Sequence, residues 1–284
     1  MKKILVIGIK GMAGHVIFKK LQENSTYKVF GLARNIKITE NTFDLDVSKT
    51  DELTKIISEN NFDVIINAIG ILNKDAEDHP EKAVWFNSYF PHFLEKITKN
   101  HNSKVIHIST DCVFNGKKGN YTEKDTKDGV GFYAQSKALG ELENEKDLTI
   151  RTSIIGPEIN KNGIGLFHWF MSVPENTTIK GFSQAFWSGL TTIELANVIE
   201  YVIENNISGL LQVAPKNKID KYSLLNLFNE IFRNNNIKIL PDDAYKVDKS
   251  LVSIREDFKY KVPTYSEMLI EMKNWINAEN IYSY

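Results

Sequence analysis

The chain has 284 residues, with 35 lysines and arginines against 36 aspartates and glutamates. That near-neutral balance removes the electrostatic drive toward nucleic acid or an anionic membrane surface, while 42% hydrophobic residues are enough for a sizeable core. Seven prolines and 16 glycines are too few for a linker-rich chain, and the single cysteine, Cys112, excludes an internal disulfide or a cysteine-rich metal site.

Apolar runs of strand length alternate with amphipathic stretches through the first half. Lys3–Ile7 reads as a buried strand, Met12–Glu23 as a helix, Val29–Ala33 as a strand and Asp51–Asn60 as a helix. Val64–Ala68 follows as a strand, Lys82–Asn100 as a helix and Val105–Ser109 as a strand, then Tyr133–Asn144 as a helix and Thr149–Ile155 as a strand. Strands without strict alternation, separated by helices, indicate an α/β fold built on a doubly wound parallel sheet covered on both faces. After Pro157 the pattern loosens. Asn160–Gly165 and Ser172–Phe186 read as loops facing a substrate, and Lys216–Lys221 and Asn234–Lys238 as solvated turns. Between them lie a helix at Thr192–Asn205, a strand at Leu210–Ala214 and a helix at Ser223–Asn234. The expected division is a dinucleotide-binding domain over 1–156 and a smaller substrate-binding lobe over 157–284, with 190–214 returning to the first sheet. The apolar start imitates a secretory signal, but Lys10 interrupts it, and no stretch approaches the ~20 apolar residues of a membrane span. A cytoplasmic location without a membrane partner is expected.

Gly8-Ile9-Lys10-Gly11-Met12-Ala13-Gly14 joins the first strand to the first helix. Glycines there permit a tight turn, close approach of a pyrophosphate and close helix–strand packing, and the helix N-terminus offers free N–H groups to phosphate. An ordinary βα turn would carry the same residues without a ligand. The second strand ends Gly31-Leu32-Ala33-Arg34, with no carboxylate for a ribose 2′-hydroxyl. Arg34, joined by Lys10, suits a 2′-phosphate instead, which favours NADP(H) and leaves NAD(H) open; as solvated surface charges they would do neither.

Tyr133-Ala134-Gln135-Ser136-Lys137 sits on an expected helix, where a spacing of four puts phenol and ammonium one turn apart on one face. The cation is expected to stabilise the phenolate and lower the tyrosine pKa, fitting Tyr133 for proton transfer near neutrality. Such a pair is common on protein surfaces. Its place after a dinucleotide-type turn and after Ser109-Thr110-Asp111 at a strand end makes it a catalytic candidate.

These motifs resemble the extended branch of the short-chain dehydrogenase/reductase superfamily, which has a Rossmann sheet, and most of all dTDP-4-dehydrorhamnose reductases and related nucleotide-sugar 4-keto reductases. The resemblance runs through Ile106–Gly116, Gly119–Asp125, Tyr133–Glu141 and Arg151–Ser153, and more weakly through Gly209–Phe228. It implies an NAD(P)-dependent oxidoreductase that reduces a nucleotide-activated 4-keto-6-deoxy sugar for surface polysaccharide precursors, without a metal; a homodimer is left open. By position, Thr110 would hydrogen-bond the substrate carbonyl, Tyr133 would protonate its oxygen, and Lys137 would hold the nicotinamide ribose. Asp111 would contact the sugar, Asp44 and Leu45 would lie near the adenine, Ala68, Ile69 and Gly70 beside the cofactor, and Met12 with Gly11 over the pyrophosphate. Ile154 stands where the rhamnose reductases carry an aromatic residue, so Trp187, Phe186 or Phe182 is a candidate to line the pocket instead, and Lys180 to meet the diphosphate.

Two other readings remain. Cys112 with His168 would resemble the pair that epimerises before reduction in GDP-fucose synthase-like enzymes. A non-catalytic dinucleotide-binding regulatory subunit would share the fold. Dehydration is disfavoured, because Cys112 replaces the second carboxylate of the dehydratases. His15, His79, His92, His101 and His107 receive no role, His107 being read as packed within its strand.

Overall fold

The computed structural model describes all 284 residues. Its elements in chain order begin with β1 (Lys2–Ile7), α1 (Met12–Gln22), β2 (Tyr27–Ala33), β3 (Thr42–Asp44), α2 (Thr50–Asn60) and β4 (Val64–Asn67). Next come α3 (Asn73–Asp78), α4 (Pro80–Ala83), a π-helical turn (Val84–Tyr89), α5 (Phe90–Ile97) and β5 (Lys104–Thr110). A short 3₁₀ turn (Asp111–Val113) leads toward α6 (Phe132–Leu139), β6 (Leu148–Thr152), β7 (Ile154–Ile155), α7 (Leu166–Ser172) and β8 (Thr178–Trp187). The chain ends with β9 (Leu190–Thr191), α8 (Thr192–Glu204), β10 (Gly209–Gln212), β11 (Ile219–Asp220), α9 (Lys221–Arg233), β12 (Lys238–Asp248) and α10 (Tyr265–Glu279).

Seven parallel strands form the main sheet in the order β10-β6-β5-β4-β1-β2-β3. Along β1, Ile4 and Val6 enter the core shared with α1 and α8, while Leu5 and Ile7 enter the core on the other face with α2 and α5. Burial on both faces accounts for the unbroken apolar runs. The order reverses direction between β1 and β4, and loops at the carboxyl ends of strands flanking such a point form a crevice. A three-stranded sheet, β11-β8-β12, and α7, α9 and α10 build a second layer around Phe167, Phe170, Leu224 and Phe228. No helix is long and apolar enough to cross a membrane.

Five local expectations need correction. The helix expected over Lys82–Asn100 starts at Pro80 and passes through the π turn, which aims Asn87 inward: its amide donates to Ile71 O at 2.9 Å and Ser136 Oγ at 3.1 Å. The helix expected to reach Asn144 stops at Leu139, because buried Arg151 claims Glu141 through two 2.7 Å hydrogen bonds, and Ser109 donates to the same carboxylate. Without that partner the guanidinium would be a buried uncompensated charge. The strand expected over Thr149–Ile155 breaks at Ser153, whose carbonyl accepts from Leu190 N, so β7 leaves the main sheet to pair with β9. Finally, the expected loop Ser172–Phe186 is mostly β8, and the expected turn Lys216–Lys221 contains β11 and the start of α9. β8 exists through pairing with β11 on one side and β12 on the other, and β11 through pairing with β8, which local composition does not encode.

Candidate active site

The turn after β1 is shaped for close approach. Gly8 has φ of +97°, and a Cβ on Gly14 would stand 2.1 Å from Gly8 O, so only glycine lets α1 pack against the turn. No side chain caps α1, and its N-cap residue Gly11 lines a groove of about 370 Å³. Gly8, Gly11, Arg34, Leu45 and Ala68–Gly70 line that groove, as does Lys10, whose ammonium donates to Arg34 O at 3.3 Å and Asn35 O at 3.4 Å. A dinucleotide's phosphates fit this setting, with backbone N–H groups in place of a side-chain clamp.

Asp44 does not line the groove: its carboxylate accepts from the Asn35 amide at 2.7 Å and holds the loop after β2. Asp46, which sequence reasoning missed, does line it and pairs with Arg34 at 3.2 Å. The carboxylate absent from the end of β2 is thus supplied from beyond β3, and it orients the Arg34 guanidinium. Gly14 lies behind the turn and acts through packing.

A second cavity, about 520 Å³, adjoins the groove; Gly11 and Ala68–Gly70 line both. Met12, Thr110, Asp111, Tyr133, Lys137 and Ile154 line it together. Thr110 ends β5 and caps the short turn after it, accepting from Cys112 N at 3.1 Å and donating its one proton to Asp111 Oδ1 at 3.1 Å. Tyr133 is the second residue of α6, which begins after Gly131 with no side-chain cap of its own. Glu77 on α3 supplies the cap by accepting from the Phe132 and Tyr133 amides, each at 3.1 Å.

Electrostatics in the cavity depart from the expectation for Tyr133. Burial, aided by Cys112 and Asp111, pushes its phenol well above the ordinary value, and the nearby Thr110 hydroxyl opposes the shift only in part. Lys137 does not supply the expected lowering, because its side-chain nitrogen is turned to Ile108 O at 2.7 Å and His107 Nε2 at 3.3 Å. Burial also draws Lys137 down to about 8, and Glu141 pulls the other way. Asp111 is raised by burial, with Lys249 and Lys221 restraining it.

Trp187, Phe186 and Phe182 line the outer wall, and the Trp187 indole donates to Ser153 Oγ at 2.8 Å. Lys180 does not reach the cavity: it is largely exposed and faces Asp242 at 3.4 Å on the neighbouring strand. Two lysines that sequence reasoning missed, Lys221 and Lys249, do line the cavity. Lys221, the first residue of α9, lies 4.9 Å over the Trp187 ring and is drawn down to about 8 by burial, with Asp111 opposing; Lys249 follows β12. Asp220, which caps α9 by accepting from Ser223 N, was the available signal that Lys221 starts a helix.

Cys112 and His168 are not brought together. Cys112 lines the cavity, its thiol pushed up to about 11 by burial, whereas half-buried His168 does not line it and contacts Tyr284 Oη and Lys161 O, both at 3.2 Å. The two-residue epimerisation site is not assembled.

Residues 1–269 match the family described as RmlD substrate binding domain. A dTDP-4-dehydrorhamnose reductase of Aggregatibacter actinomycetemcomitans is 30% identical over 74% of this chain and 70% of its own length. A Haloferax volcanii protein named "Probable low-salt glycan biosynthesis reductase Agl14" is 26% identical over 75% of each chain. The chain is also 24% identical to methionine adenosyltransferase 2 subunit beta of Danio rerio, over 84% of this chain and 77% of that one. Among solved structures, a "hypothetical dTDP-4-dehydrorhamnose reductase" from Sulfolobus tokodaii superposes with a TM-score of 0.77 at 26% identity, covering 93% and 98% of the two chains. The Bacillus anthracis dTDP-4-dehydrorhamnose reductase in complex with NADP gives 0.81 at 20% identity, covering 97% and 99%, and shares the fold.

Proposed function

Since the chain belongs to the RmlD substrate binding domain family, we propose that it is an NADP(H)-dependent oxidoreductase that reduces the 4-keto group of a nucleotide-activated 6-deoxy sugar, for glycan precursor synthesis. The observation that carries the reading is one cavity lined by Thr110, Asp111, Tyr133 and Lys137 that shares the Gly11 and Ala68–Gly70 wall with a groove suited to a dinucleotide.

In this reading residues 1–156 hold the coenzyme, with Arg34 and Lys10 meeting the 2′-phosphate and Leu45 and Ala68–Gly70 flanking the nucleotide. When bound, NADPH supplies the hydride that reaches the keto carbon. Thr110 turns its hydroxyl from Asp111 to the substrate oxygen, and Tyr133 gives that oxygen its proton as negative charge builds there. Lys137 carries positive charge beside the phenolate so formed. Asp111 and Ile154 contact the sugar, Trp187, Phe186 and Phe182 exclude water from its outer side, and Lys221 with Lys249 meets the diphosphate, in place of Lys180. The high phenol pKa keeps Tyr133 protonated before the reaction, as an acid must be. A cytoplasmic setting accords with the one free cysteine.

The test is a screen of purified protein with NADPH and NADH against dTDP-, UDP- and GDP-linked 4-keto-6-deoxy sugars. Stoichiometric NADPH oxidation with a 4-hydroxy product is expected. Product without coenzyme oxidation would mean epimerisation, and silence across the panel would overturn the reading in favour of a binding subunit.

A further inference from the structure

His107 is a buried ionisable group in contact with Lys137 for which the mechanism above has no use. In the parallel pairing of β4 with β5, Asn67 stands directly beside His107, and both are fully buried. The Asn67 side chain is orientated by its own loop, because Oδ1 accepts from the Ile69 amide at 3.1 Å. Its Nδ2 therefore faces His107, 3.2 Å from Nδ1. An amide NH₂ can only donate, so Nδ1 must present a lone pair, and the proton of the neutral ring sits on Nε2. That N–H points at Lys137 Nζ, 3.3 Å away. The ring does not relieve the conflict by taking a second proton, since burial, reinforced by Lys137, holds His107 well below its ordinary value.

We propose that Asn67 and His107 are positioning residues for the reduction: Asn67 locks His107 as its Nε2–H tautomer, and that N–H, aimed at the Lys137 nitrogen, biases Lys137 toward releasing a proton into the site. An ammonium has no lone pair to offer the Nε2–H, whereas a neutral amine accepts it while still donating to Ile108 O at 2.7 Å. The other groups around Lys137 do not provide this bias. Glu141, just past the end of α6, favours the ammonium but is engaged by Arg151 and Ser109. Glu77 on α3 is engaged by the first amides of α6, Asp111 by Thr110, and the Cys112 thiol and Tyr133 phenol are both raised by burial. After the Tyr133 O–H proton has passed to the substrate oxygen, a Lys137 N–H proton restores the phenol, and solvent water returns a proton to the amine. Because Ile69 also lines the coenzyme groove, the chain Ile69–Asn67–His107–Lys137 joins the coenzyme loop to the acid.

The inference rests on the reductase reading, so its test has an arm independent of turnover. Long-range ¹⁵N–¹H correlation spectra of ¹⁵N-histidine-labelled protein report the tautomer of each of the six rings, with His107→Gln or His107→Asn identifying the signal. The expected result is an Nε2–H tautomer for His107 from about pH 6 to 9, becoming mixed in Asn67→Ala. In NADPH oxidation, His107→Gln offers the ammonium an acceptor, so the alkaline limb of the kcat profile should move upward by about one pH unit, a tenfold change in proton affinity. An Nδ1–H tautomer in the native protein overturns the proposal even if the variants fail to fold. Lowered kcat with an unmoved limb would reduce both residues to structural roles and overturn it too. Native protein without turnover would sink the reductase reading and the tuning together, whereas turnover with the wrong tautomer would sink the tuning alone.

Discussion

Replacing Lys221 with methionine should yield a more stable protein and a poorer enzyme. The ammonium sits at the Trp187 face inside the cavity, and burial draws it from 10.5 to about 8. The folded state therefore binds fewer protons at this site than the unfolded chain between those values. Stability rises with pH across that window, and below about pH 8 the full penalty stands. At 1.36 kcal/mol per unit the ceiling is about 3 kcal/mol, and partial exposure of the side chain reduces it to about 1–2 kcal/mol. Methionine keeps the apolar stem on Trp187 and removes the charge, so Tm at pH 7 should rise by about 2–5 °C, and the gain should fade toward pH 10. Against this, a cation about 4 Å from a phosphate in an effective dielectric of about 20 gains roughly 4 kcal/mol before desolvation. A net loss of about 1–2 kcal/mol would raise KM for the nucleotide sugar by about 5–30-fold with kcat little changed. Calorimetry and initial rates of NADPH oxidation measure both halves. A variant with unaltered KM would refute the diphosphate assignment, and one with lowered Tm would refute the burial argument.

Three further outcomes follow from the same geometry. Tyr133→Phe should lower kcat by about 10²–10⁴ while NADPH binding, followed by fluorescence, stays within about twofold; an unchanged rate would remove Tyr133 from its role as acid. Arg34→Ala leaves Asp46 facing the groove without its partner and should weaken NADPH more than NADH, so equal losses in titration would contradict the 2′-phosphate assignment. Glu141→Gln strands the buried Arg151 and should cost about 3–5 kcal/mol in denaturant unfolding; a loss under about 1 kcal/mol would mean the pair is not what ends α6.

Much of the molecule was legible locally. The apolar runs of β1, β4 and β5 and the one-face spacing of α2 and α8 are short-range patterns, and so is the Tyr133–Lys137 spacing. The glycine turn is local at Gly14, which packs on Gly8 and Ile9 of the same turn, whereas Gly8 also lies against Ala68 and Ile69 of the loop after β4. These features follow from sterics and periodicity over fewer than a dozen residues, so the amino-acid order alone determined the doubly wound sheet, the glycine turn after β1 and the placing of Tyr133 and Lys137 on one helix face. The remainder required distant residues to meet. Glu77 caps α6 from α3, Glu141 abandons a helix for Arg151, and Asn67 meets His107 only because β4 and β5 lie in register. Lys221 looks like one more lysine in a polar turn until β11 and α9 fold it over Trp187. Charge, tautomer and proton affinity depend on what surrounds a group in space. For that reason tertiary structure alone decided which lysines line the cavity and which way the Tyr133 and Lys137 equilibria lean.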